Sequence, residues 1–131
     1  MLGSEGNDLL LGDIGNDMLI GGSGADIFEW KDEAIASLSA TNNGVNPLGS
    51  DAILDFIVGL DKLRFEQRLF PTLNPFALTT VATFDSTSSS STVVYESNSG
   101  KLFYNPTAGA GDEVLLVTLQ ANLALTSADI G

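Results

Sequence analysis

Three aspartates, Asp8, Asp17 and Asp26, recur at nine-residue intervals, and each closes a glycine-rich six-residue stretch. The units read Gly3-Ser-Glu-Gly6-Asn-Asp8-Leu-Leu10-Leu, Gly12-Asp-Ile-Gly15-Asn-Asp17-Met-Leu19-Ile and Gly21-Gly-Ser-Gly24-Ala-Asp26-Ile-Phe28-Glu. Glycine holds the first and fourth places, aspartate the sixth, and a large apolar residue the eighth. Glycines there permit positive φ and a tight turn without a Cβ clash. Such a turn gathers carbonyl oxygens around one hollow, and the aspartate adds negative charge. That donor chemistry suits a hard, oxygen-seeking cation such as Ca²⁺.

Composition supports this choice by exclusion. The 131 residues contain neither His nor Cys, which removes the usual zinc and copper sites, thiol catalysis and Ser–His–Asp triads. A formal net charge of −12 makes nucleic acid and anionic membrane poor partners. Eight of the 17 acidic residues fall between residues 5 and 33, where Lys31 is the one basic side chain. No apolar run approaches the ~20 residues of a transmembrane helix. With 44% hydrophobic residues the chain can bury a core of single-domain size.

The elements that position the aspartates follow from the same repeat. Places seven to nine predict a very short strand with the eighth side chain inward. Leu10, Leu19 and Phe28 then stack in a narrow core, because one unit cannot bury its own apolar residue. Three in-phase units, each with an apolar anchor, argue against a mere Gly/Asn/Asp-rich linker.

These nonapeptides resemble the repeats of the RTX family, which wind into a parallel β-roll with two nonapeptides per coil. The resemblance implies Ca²⁺ between stacked turns. It places one complete site between turns 3–8 and 21–26, with Asp8 and Asp26 as side-chain ligands. Gly3, Glu5, Gly6, Gly22 and Gly24 are the implied carbonyl donors. A second, half-built site lies on the opposite edge around Asp17, with Gly12, Ile14 and Gly15. It needs a further ligand, for which Asp51 is the choice and Glu33 the weaker candidate. Asp51 is equally readable as a turn cap. Asp55 and Asp61 read as turn caps, with Asp61 paired to Lys62 or Arg64 at the surface.

Residues 30–50 read as a connector with a short helical turn at 32–38. The spacing D-x-I-x-D-F-x-x-G-x-D-K-L from Asp51 to Leu63 resembles the segment after the last repeat in serralysin-type proteins. It predicts a strand, a turn centred on Gly59 and a second strand. Further strands are expected at 76–84, 92–97, 101–105 and 113–119, the last buried on both faces, with a turn at 98–100. Polar and Gly/Ala-rich stretches at 85–91 and 106–112 read as loops. The closing LTSADI resembles the end of many RTX C-terminal modules. Leu9, Leu11, Met18, Ile20 and Ile27 would face outward in an isolated roll, so cover is expected from residues 51–125 or a partner chain.

The expected fold is therefore all-β: a short parallel β-roll at 1–29, then an antiparallel, sandwich-like part at 51–131, packed as one unit. The resemblance implies a non-catalytic module that folds on Ca²⁺ outside the cell and supports type I secretion of a larger haemolysin-like or serralysin-like protein. The secretion apparatus is then a partner and the location extracellular. Leu2, in the ninth place of a preceding unit, points to a longer array. An adhesion or self-association module acting through the roll face is the alternative, as is an accessory domain of a secreted protease or lipase.

Overall fold

The computed structural model describes residues 2–12, 15–30, 51–65, 78–83, 92–105 and 114–130. Places seven to nine of the repeats form the first strands, β1 (Leu9–Leu11), β2 (Met18–Leu19) and β3 (Ile27–Trp30). Strands from alternate units stack in parallel, with Leu10 opposite Phe28. β2 faces the other way out of the coil, where Leu2 bridges Ile20. Each nonapeptide therefore makes half a coil, as the eighth-place pattern requires.

The winding does not stop with the repeats. β4 (Asp51–Ile53) lies parallel to β2, and β5 (Lys62–Phe65) lies parallel to β3. The expected strand–turn–strand is present, but its two strands enter different sheets rather than pairing as a hairpin. The turn between them passes through Gly59 at φ +83°. β6 (Leu78–Val81), β7 (Thr92–Glu96), β8 (Lys101–Asn105) and β9 (Val114–Thr118) complete the strands. β9 settles parallel to β4, and Ile130 bridges Leu63, so the chain from β9 to Ile130 winds once more around the same axis. A 3₁₀ turn at Ser127–Asp129 precedes that bridge.

Two sheets result, a parallel one ordered β1-β3-β5 and a mixed one ordered β2-β4-β9-β8-β7-β6. β7, β8 and β9 are antiparallel neighbours, while β6 runs parallel to β7. Leu116 and Val117 are both buried, as a strand covered on both faces demands. The fold is all-β as expected, but the antiparallel strands extend one sheet of the coil at its edge. They do not lie over the outer face of the repeats: Leu9 is 53% and Met18 59% exposed. Of the five side chains expected to need cover, Leu11, Ile20 and Ile27 are half-buried, while the described residues leave Leu9 and Met18 open. The expectations for 31–50, 85–91 and 106–112 fall outside the described residues.

One core joins all of this. Leu10, Leu19 and Phe28 are buried as the repeat predicts, with Ile53 and Leu63 continuing their columns. Trp30 stacks on Phe65 at 4.8 Å, and Phe28 packs against Phe56 at 6.2 Å. Gly12 is required by that aromatic column, since a Cβ there would stand 2.2 Å from Trp30 Nε1. Because Phe28 sits between the first and third coils, Phe28→Ala should cost about 3–5 kcal/mol in denaturant unfolding at saturating Ca²⁺.

Candidate metal centre

Successive coils are joined by the same pair of bonds at each of the three repeat aspartates. Asp8 donates its N–H to Asp26 Oδ1 (2.9 Å), and its carbonyl accepts from Ile27 N (2.8 Å). Asp26 donates to Asp61 Oδ1 (3.0 Å) and accepts from Lys62 N (2.8 Å). On the opposite edge Asp17 donates to Asp51 Oδ1 (2.7 Å) and accepts from Ala52 N (2.9 Å). Each carboxylate thus caps the amide of the aspartate one coil earlier. At the fifth place the link runs the other way, Asn7 Oδ1 accepting from Ala25 N of the following coil at 2.9 Å.

Turns 3–8 and 21–26 are brought together as the sequence predicts. Gly3 N donates to Ile20 O, Gly6 N to Ser23 O and Ser23 N to Ser4 O, at 2.7–3.2 Å. The approach is so close that a Cβ on Gly24, whose φ is +122°, would stand 2.1 Å from Gly6 O. Among the described residues, the main-chain bonds that stitch these turns use the carbonyls of Ser4, Ile20 and Ser23. Those of Gly3, Glu5, Gly6, Gly22 and Gly24 stay outside that set.

The two aspartates of this pair of turns differ. Asp8 Oδ2 accepts the amide of Ser4 in its own turn at 2.8 Å. Asp26 is 1% exposed, and its Oδ2 is buried with no hydrogen-bond partner. A bare carboxylate oxygen away from water is costly unless a cation or donor meets it. Among the described residues no three acidic side chains converge on one point. A cation at this edge would therefore be held by one or two carboxylates together with main-chain carbonyls, the donor set that Ca²⁺ accepts. The residues fit the ion the repeat implies.

The opposite edge is differently engaged. Asp51 is buried, and besides Asp17 N it accepts the Trp30 indole N–H on Oδ2 at 2.6 Å. Of its two readings the described structure displays the cap. Gly12 and Gly15 belong to this edge, while Ile14 and Glu33 fall outside the described residues.

Asp55 caps amides of the coil before it, and Asp61 caps one amide of that coil and one of its own turn. Asp55 takes Gly21 N and Gly22 N at 2.9 Å each. Asp61 takes Asp26 N on Oδ1 and Ile57 N on Oδ2. The expected surface ion pair of Asp61 gives way to burial at 2% exposure. Arg64 instead faces Glu29 at 4.0 Å, and Lys62 Nζ donates to Ala128 O. Burial raises the Asp61 carboxyl above its usual 3.8, assisted by the nearby Asp26 and Asp55 charges and opposed by its two amide donors. A carboxyl raised in this way favours folding below its unfolded pKa, and that contribution is lost as pH rises through the folded value.

The sequence reading missed Asp129. It is 2% exposed, its Oδ1 accepts Gly59 N (2.9 Å), and its Oδ2 accepts Thr126 N and Oγ1. The available signal was an aspartate followed directly by, or two places before, an inward apolar residue.

Residues 1–29 match the family model of the RTX calcium-binding nonapeptide repeat in four copies, one more than the three complete nonapeptides. No curated protein matches the chain. The match covers the N-terminal 29 of these 131 residues and points to Ca²⁺ as the ion that such repeats bind. No helix of the described residues is long and apolar enough to cross a membrane.

Removing the Asp51 carboxylate orphans two donors, Asp17 N and Trp30 Nε1. Asp51→Ala should destabilise the folded protein by about 1–3 kcal/mol per orphaned group in urea unfolding. It should also red-shift Trp30 emission, which Phe28→Ala at a distance from the indole nitrogen should do less.

Proposed function

We propose that Ca²⁺ held between turns 3–8 and 21–26 is what makes the repeat coils fold, so that the chain is a calcium-conditioned folding module of a secreted protein. Asp8 and Asp26 supply the carboxylates, with the carbonyls of Gly3, Glu5, Gly6, Gly22 and Gly24 around them. The observation that carries this reading is the buried, unpartnered Oδ2 of Asp26. The edge around Asp17, with Gly12, Ile14, Gly15 and Asp51, is the second and weaker position, since both Asp51 oxygens already hold N–H groups.

Energetics favour dependence on the ion. Seven of the 14 glycines lie between residues 3 and 24, and ordering such backbone costs ~1–2 kcal/mol per residue. Few apolar side chains oppose that cost in the first coils, and like-charged aspartates are drawn together. Cation binding to the folded form alone then becomes folding free energy. An export route that passes an unfolded chain, as type I secretion does, suits a protein that folds only where Ca²⁺ is abundant. The absence of cysteine fits metal in place of disulfides for an extracellular chain. The module has no chemistry of its own in this reading, and supports the folding and export of a larger protein. The exposed Leu2, Leu9 and Met18 favour one second reading, self-association through the outer face of the coils.

Far-UV circular dichroism and Trp30 emission of the full chain test the main reading. Addition of millimolar Ca²⁺ to EDTA-treated protein should raise strand signal and blue-shift emission as the indole is buried, and excess EDTA should reverse both. Mg²⁺ should substitute poorly, because it dehydrates reluctantly and demands a smaller octahedral site. Identical spectra in EDTA and Ca²⁺ would sink the proposal. Light scattering that rises in parallel with the Ca²⁺ response would support the second reading.

A further inference from the structure

Turns 3–8 and 21–26 are equivalent by place, yet their aspartates end up in different states, and the cause lies outside the repeats. In the first turn the second-place amide, Ser4 N, closes on the sixth-place carboxylate, Asp8 Oδ2. The corresponding bond in the second turn would run from Gly22 N to Asp26 Oδ2. Gly22 N goes instead to Asp55 Oδ2, and Gly21 N to Asp55 Oδ1, both at 2.9 Å. Asp26 Oδ2, deprived of that donor, is left buried and bare.

The placement of Asp55 follows from the register. Met18 lies opposite Ala52 and Leu19 opposite Ile53, so Asp55 stands one coil beyond Gly21, at a first place that the repeats fill with glycine. Leu54 N bonds Leu19 O at 3.1 Å and fixes the approach. The neighbouring Phe56 is buried against Phe28, which anchors the backbone on which Asp55 sits. The carboxylate is thus aimed at the two leading amides of the second turn.

We infer that Asp55 is a positioning residue for the cation: it withdraws the second turn's amides from Asp26 and so keeps Asp26 Oδ2 available as a ligand. This rests on the Ca²⁺ reading above and assigns affinity to a residue outside the repeats. Without Asp55, Gly22 N is free to close on Asp26 as Ser4 N does on Asp8, and a cation must then displace a charge-assisted hydrogen bond.

Ca²⁺ titrations of the full chain, followed by circular dichroism, test this with D55A, D55N, D26A and the D26A/D55A pair. D55A is expected to raise the half-saturating Ca²⁺ concentration by about tenfold, the equivalent of one charge-assisted hydrogen bond, and to reach the wild-type spectrum at saturation. D55N, which keeps one acceptor, should fall between wild type and D55A. On the D26A background, removal of Asp55 should change the midpoint little, because its effect runs through Asp26. A D55A midpoint equal to wild type overturns the inference, and so do fully additive effects of D26A and D55A. If D55A does not reach the folded spectrum at any Ca²⁺ concentration, D55N decides: a wild-type midpoint overturns, an elevated one supports. A wild-type chain with no saturable response to Ca²⁺ overturns the parent reading as well, whereas a normal wild-type response with an unaltered D55A removes this inference alone.

Discussion

Every coil of a parallel stack leaves an N–H group at the corner where the turn becomes a strand, and this protein meets that demand with aspartate. The amides of Asp8, Asp26 and Asp17 are each received by a carboxylate from the following coil. The bond fixes three things together: the vertical spacing of the coils, the entry of the strand, and the position of a negative charge. Inward side chains such as Phe28 and Leu63 fall into register because the aspartate before them is held. Remove the constraint and the columns of apolar residues lose their alignment, since a one-residue slip turns each inward side chain outward.

The same constraint leaves a carboxylate oxygen unmet at one end of the stack, while amides suffice at the other. Asp51, Asp55, Asp61 and Asp129 have both oxygens met by N–H or hydroxyl donors. The later coils therefore hold their carboxylates with groups the chain already contains. In the repeats the demand exceeds the supply: Asp26 serves Asp8 with one oxygen and has nothing for the other. In the proposed function a divalent ion does there what fixed amides do elsewhere.

How much of this was legible depended on which features repeat. The first half-coils were readable because glycine, aspartate and an apolar anchor recur every nine residues, and the turns at 3–8 and 21–26 came together as that spacing requires. The later coils escaped because only part of the signature survives in them. Asp51-Ala-Ile53 and Asp61-Lys-Leu63 keep an aspartate two places before an inward apolar residue, as in Asp17-Met-Leu19 and Asp26-Ile-Phe28. They have lost the fixed interval and the leading glycine, so they read as an ordinary strand pair and not as continued winding. The outer face was only partly legible, for a different reason. Apolar residues at Leu9 and Met18 do ask for cover, but nothing in a strand pattern distinguishes packing over a face from addition at an edge. β9 took the edge.

The return of the chain to that edge has a kinetic consequence. β4 and its neighbour β9 are separated by the sixty or so residues that build β6, β7 and β8. Closing a gap of that length must precede any reward from the pairing, so this step carries the loop-closure cost that slows folds rich in long-range strand contacts. The repeats, by contrast, add one short link at a time. The molecule thus joins a segment whose winding is local to a lock that forms across most of the chain. Until residues 114–130 arrive, β4 and β5 present unpaired strand edges, and the late arrival of the last strand sets how long those edges stay open to other chains.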